Sequence, residues 1–358
     1  MEARVYFATN RNHTADPAEP FGKTYNPDGP FCVRYGYADV AVKAKKPHDP
    51  KSYSVQKVEV IPDITKPGDP ATGRPPEHGS DKALPALRDR MRENKADLLI
   101  FIHGFNCSFK EALENAAQLR QVYSTAKRPL EVAVFSWPSD GRTVTPDLSA
   151  DSSKLRLAYF NDRTDAEASA SAMARALKKL VDFVKDMSRE ENCGQRIHLL
   201  AHSMGNFALR HAIRAFGQDI KPGCMPRLFD NIFLMAADED NDAFEMPHKF
   251  QRLPELATAV HVYYAANDRV LQVSDTTKSN PDRLGGAGPR TLSDLPRKVT
   301  LVDCALVSGV GALAPRHSYY REMPQVTADV QAVLAGIPGD AMDWRQYVPA
   351  ERGFRITP

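Results

Sequence analysis

The feature that most constrains this chain is an alternation that begins near residue 96. Short apolar runs recur at Leu98–Ile102, Val132–Phe135, Ile197–Leu200, Ile232–Ala236, Val260–Ala265 and Val299–Val302. Between several of them lie longer stretches with helical spacing: Phe109–Tyr123, Thr164–Met187 and Met204–Phe216. In the second of these, Ala166, Ala170, Met173, Ala174, Leu177, Leu180, Val181 and Val184 recur at the i, i+3, i+4 spacing of one helix face. Strands alternating with helices of this length predict β-α-β units and a mostly parallel sheet. Runs that are apolar throughout predict strands covered on both faces. The expected class is therefore α/β, a mostly parallel central sheet flanked by helices.

Residues 1–95 read differently. Val5–Thr9, Phe31–Val42 (interrupted at Gly36) and Val55–Ile61 look like strands, and many of the 27 prolines fall in 17–30 and 47–85. Proline and glycine punctuate connections, so those stretches are expected to be loops packed on the core. The expected division is N-terminal strands and Pro-rich loops (1–95), a catalytic core (96–340) and a C-terminal tail (341–358), within a single domain overall. No internal repeat is evident.

Composition removes several function classes. Lys plus Arg number 47 and Asp plus Glu 45, giving +2, so the clustered basic excess of a nucleic-acid binder is missing. With 42% hydrophobic and 26% charged residues, the chain is not of the disordered type. No apolar run approaches the roughly 18 residues of a bilayer span, and the N-terminus lacks a secretory pattern. The five cysteines are widely spaced without a C-x-x-C pair, so a reducing, cytoplasmic setting is expected. Ten histidines show no H-E-x-x-H spacing, so neither a metal nor a cofactor is expected.

The chemistry concentrates in Ile197–Asn206, where an apolar strand runs through Ala201-His202-Ser203-Met204-Gly205 straight into a helical pattern. That is the context of a nucleophile elbow, a sharp strand–turn–helix that lifts a serine hydroxyl above the sheet. The tight turn needs small residues two before and two after the serine. Gly205 meets this, and Ala201 replaces the usual glycine. The bland alternative is a serine N-cap. A second signal is Leu98–Ile102 followed by His103-Gly104-Phe105-Asn106. Acyl transfer needs amide donors for a developing oxyanion. The residue after the nucleophile, Met204, and the loop residue Phe105 are the candidates, with His103 as a buttress of the turn.

A serine nucleophile needs a base, and the base an orienting group. The chain order Ser, acid, His places the acid after a later strand. Asp268 follows Val260–Ala265 directly, with Asp238 and Asp240 as runners-up. His317 is the only histidine beyond Asp268. His261 lies within a strand, and His202 sits in the elbow itself.

Tyr6–Arg11, Tyr35–Val40, Phe101–Asn106, Phe135–Ser139, Ala201–Gly205, Asn267–Arg269, Arg283–Gly285 and His317–Tyr320 together resemble a family of bacterial α/β-hydrolases of unknown function, distant relatives of lipases and esterases. The resemblance implies the α/β-hydrolase fold, with extra N-terminal strands and loop insertions over the site. It also implies Ser203, Asp268 and His317 as a triad, the assignment that order and position give. Ala201 and the Pro-rich insert around 62–85 depart from the pattern.

The expected activity is cleavage of a small-molecule carboxylic ester through an acyl-enzyme. A thioesterase or acyltransferase on the same triad, and a non-catalytic binding module on the same scaffold, are the alternatives. Three segments, Pro138–Arg163, Glu239–Pro254 and Arg269–Arg297, are long enough to select the substrate. The first is mostly polar, and the last carries Arg269, Lys278, Arg283, Arg290 and Arg297. A polar or anionic ester, rather than a long-chain lipid, is expected. The sequence is silent on oligomeric state.

Overall fold

A computed structural model describes all residues except 18, 44, 64–76, 140–151, 189, 272–281 and 308–316; side chains 152–157 are also outside it. Six parallel strands lie where the apolar runs predict them: β6 (Asp97–Ile102), β7 (Leu130–Ser136), β8 (Ile197–His202), β9 (Phe229–Met235), β10 (Ala257–Tyr264) and β11 (Val299–Asp303). Their side chains alternate between two cores. Leu200, Phe233 and Met235 pack on one face, and Leu199, Ala201, Ile232 and Leu234 on the other. The first face is covered by α2 (Phe109–Tyr123) and Pro324–Leu334, the second by α4 (Ala170–Asp186) and α5 (Met204–Phe216), with α1 (Gly79–Asn94) at its side. Capping explains where α2 begins. The Ser108 hydroxyl accepts from the Glu111 amide, and the Glu111 carboxylate accepts from the Ser108 amide.

The N-terminal strands belong to the same sheet. β1 (Glu2–Thr9) runs parallel to β7, pairing Val5 with Val132 and Thr9 with Ser136. β4 (Arg34–Val42) and β5 (Tyr53–Ile61) follow antiparallel. Gly36 does not interrupt β4. A Cβ there would fall 2.1 Å from the Glu59 carbonyl oxygen and 2.4 Å from the Phe7 ring, so glycine is what lets the strand pass. Within 17–30, expected as a connection, β3 (Phe21–Tyr25) pairs with β2 (Arg11–His13).

The C-terminal stretch expected as a tail also carries strands. β13 (Gly353–Ile356) pairs parallel with β11, and β12 (Arg345–Val348) closes that edge. Four-residue strands of mixed polarity give no readable period, which is why the sequence did not announce them. The sheet order is β12-β13-β11-β10-β9-β8-β6-β7-β1-β4-β5. The chain leaves β6 toward β7 on one side and reaches β8 on the other. This reversal opens a crevice at the carboxyl ends of β6 and β8, where α/β sheets place their ligands.

The long helix expected from Thr164 starts earlier. α3 (Ser152–Ala168) includes residues expected to be loop, and Ser169 separates it from α4. The Ser169 hydroxyl donates back to the Asp165 carbonyl and accepts from Asn10, a local bond that bends helices. Among the described residues, no helix is long and apolar enough to cross a membrane.

Candidate functional site

Ser203 stands at the carboxyl end of β8 with φ 53° and ψ −126°, a backbone conformation that costs a non-glycine residue energy. The turn is tied down on both sides. The Ser203 amide donates to the Met235 carbonyl, and the Asn206 side chain donates to the Ala201 and Ser203 carbonyls. Small residues are required here for a definite reason. A Cβ at Gly205 would lie 2.5 Å from the His103 carbonyl oxygen, and one at Gly104 would lie 2.9 Å from Ser203 Cβ. The loop after β6 and the elbow therefore touch through two glycines.

That loop runs His103-Gly104-Phe105-Asn106-Cys107. Its later peptides are spoken for: the Asn106 amide donates to Asp162 and the Cys107 amide to Ser139 Oγ. Among the described residues no acceptor takes the amide of Phe105 or of Met204. His103 is fully buried, stacked on Trp137, and its Nδ1–H donates to the Gly104 carbonyl at 2.9 Å. Burial and then the nearby Arg11 cation push its pKa down to about 3, so it is a neutral prop.

Asp268 and His317, 49 positions apart, meet at the same edge: His317 Nδ1–H donates to Asp268 Oδ2 at 2.7 Å. Asp268 is held in turn by the amides of Val270 and Leu271 at its other oxygen. Burial alone would lower the His317 pKa, but the adjacent Asp268 carboxylate outweighs it, and the result lies above the ordinary value of 6.5. The other ring nitrogen, Nε2, is buried with no hydrogen-bond partner among the described residues. His202 does not point at the same work. It stacks on Tyr320 at 4.3 Å, and its Nε2–H donates to the His317 carbonyl, bracing the loop.

The Asp238 amide donates to the Ser203 carbonyl, but the Asp238 and Asp240 side chains are held in a buried ion-pair group. Arg283 contacts both, Lys249 bonds Asp240 at 2.8 Å, and the Tyr159 hydroxyl donates to Asp238 at 2.6 Å. Arg290 is bonded to Glu245. Two of the loop cations considered for an anionic substrate thus serve acids of the chain itself; Lys278 lies outside the described residues.

A cavity of about 440 Å³ opens beside Gly104, Phe105, His202 and His317, within the range of small-molecule sites. Its far wall was not legible in the sequence. Lys51 comes from the turn before β5 and Tyr53 from its first residue, Glu111 and Asn115 from α2, and Arg321 follows His317. Cys107 also lines it, but burial pushes that thiol up to about 12, so it stays protonated and inert. A smaller apolar cavity of about 120 Å³ lies within the core between the sheet and α1 and α4, away from these groups. Among the described residues no group of His, Cys, Asp and Glu could hold a metal.

The large, mostly parallel sheet flanked by helices is the architecture of an α/β-hydrolase. A family model described as "Alpha/beta hydrolase of unknown function (DUF900)" matches residues 80–335, and the chain belongs to that family. Among curated proteins, none matches the chain. Solved structures similar to it include phospholipase PlaB from Legionella pneumophila, at 13% identity over 73% of this chain and 68% of that one, with a TM-score of 0.29. The same phospholipase in complex with thio-NAD gives 12% identity, 73% and 67% coverage, and a TM-score of 0.29.

Proposed function

We propose that this protein is a serine hydrolase that cleaves a small polar carboxylic ester through an acyl-enzyme. One observation carries the reading: a strained serine faces the loop after β6, and a partly buried His–Asp pair with an unspent Nε2 sits at the same sheet edge. In this reading Ser203 Oγ attacks the carbonyl carbon, and His317 Nε2 takes the hydroxyl proton. Asp268 holds the imidazole in the Nδ1–H tautomer and stabilises the imidazolium that forms. The free amides of Phe105 and Met204 receive the oxyanion. His317 then returns the proton to the leaving alcohol. Water, activated by the same nitrogen, clears the acyl group and regenerates Ser203.

The cavity supports a polar substrate. Lys51 and Arg321 face it together with Glu111 and Asn115, an unsuitable lining for a long acyl chain. A cytoplasmic setting is part of the same proposal, on the spacing of the cysteines.

Reaction with a fluorophosphonate probe tests the chemistry. The wild type is expected to label, and Ser203→Ala and His317→Ala to lose labelling and ester turnover while remaining folded. A folded wild type that neither labels nor turns over any ester in a panel varied in chain length and charge would reject the proposal.

A further inference from the structure

Arg11 is the least expected residue in this fold. It is a fully buried cation just past β1, and among the described residues no carboxylate lies within ion-pair distance of it. Burying a charge with no counter-charge in contact is costly, even with Asp162, Glu111 and Glu19 nearby, so its donors should be spent where they matter. They are spent on the loops around Ser203. Nη2 donates to the Cys107 carbonyl at 2.7 Å, Nη1 to the carbonyls of Gly22 at 3.1 Å and Ser139 at 3.3 Å, and Nε to Ser136 Oγ at 2.9 Å. Ser136 Oγ lies 3.3 Å from His103 Nε2. That nitrogen must accept, because Nδ1 carries the hydrogen given to Gly104. The guanidinium thus grips the Phe105 loop at both ends: at Cys107 directly, and at His103 both through Ser136 and by Nη2 at 3.5 Å from Nε2.

We propose that Arg11 is a positioning residue for the reaction, setting the Phe105 amide against the oxyanion and adding a positive potential that Asp162, Glu111 and Glu19 partly offset. The inference rests on the serine-hydrolase reading. It extends that reading by giving the N-terminal strand a part in the chemistry, though no substrate atom touches Arg11. A preorganised dipole and a buried charge act on charge that develops in the transition state, more than on the neutral ester. Loss of Arg11 should therefore lower kcat and spare KM.

The test uses the full chain and counts active sites by fluorophosphonate titration, so that partial unfolding does not pass for slow chemistry. For Arg11→Met, kcat per titrated site is expected to fall on the order of 10- to 100-fold, with KM changed less than about threefold. Affinity for a trifluoromethyl ketone, which forms the tetrahedral adduct, should fall by the same factor as kcat/KM. Arg11→Lys keeps the charge and Arg11→Gln does not. Lys is expected to retain more kcat than Gln, and this pair carries the test if Arg11→Met does not fold. A fall in melting temperature with kcat per site and ketone affinity within about twofold of wild type would overturn the proposal. So would equal activity of the Lys and Gln variants. An inert wild type would instead reject the hydrolase reading itself, a result separate from either.

Discussion

At the residue scale, the Asp268–His317 pair leaves one buried ring nitrogen without a partner among the described residues. Asp268 spends one oxygen on two backbone amides and the other on His317, leaving the imidazole a single open nitrogen. This sets a pH dependence. The proposed base works only when neutral, so kcat/KM should rise with pH through a value above 6.5, because Asp268 raises the His317 pKa. In Asp268→Asn the carboxylate is gone and burial remains, so the acid limb should move to lower pH. The plateau should fall by about 10⁴, the cost of losing the correct tautomer. A limb that stays in place would contradict the assignment of Asp268. The pair also links pH to stability: its contribution is full below 6.5 and is lost as pH rises through the raised folded value.

Some of this was legible and some was not. Ser203, Asp268 and His317 each follow a strand, and strand ends can be read from apolar runs. Their chain order then limits the partners. Arg11, Ser136 and Ser139 were visible only as parts of motifs. A polar residue just past a strand reads as a loop whether it faces solvent or fills the core. What separates the two is the approach of segments far apart in the chain, here 125 positions between Arg11 and Ser136. The wall residues Lys51 and Tyr53 were hidden for the same reason.

At the element scale, the turns carry the precision. The strand-to-helix turn at Ser203 closes only because Gly205 lets α5 pass the carbonyls of Ile102 and His103. Gly205→Val should push the elbow from the β6 loop, abolishing probe labelling and lowering the melting temperature; a variant with wild-type labelling would show that the close approach is dispensable. The capping box of α2 acts on stability. Ser108→Ala should cost about 1 kcal/mol in denaturant unfolding. Helix α3 shows why composition misled. Its first residues are Ser152, Ser153 and Lys154, polar enough to pass for a loop, and the apolar period becomes clear only from Ala166 onward.

At the scale of the whole molecule, the sheet reaches well beyond the six strands that the alternation announced. Three strands are added beside β7 and two beside β11. The far pair is anchored by a buried bidentate contact between Arg345 and Asp329, at 2.7 and 2.6 Å. Breaking one side of such a pair leaves a buried charge. Asp329→Ala should therefore destabilise the fold by about 3–5 kcal/mol in chemical denaturation. A loss below 1 kcal/mol would show that the anchor is not needed.

The position of β1 has a consequence for how the protein is made. β4 and β5 follow within the first 61 residues, so the three antiparallel neighbours can pair while the ribosome is still working. The other edge of β1 must wait for β7, whose Ser136 lies 127 positions after its partner Thr9. At about 5–20 residues per second, that interval lasts roughly 6–25 s. Through it, the nascent meander presents an open parallel edge, a template for its own later strand and equally for a neighbouring nascent chain.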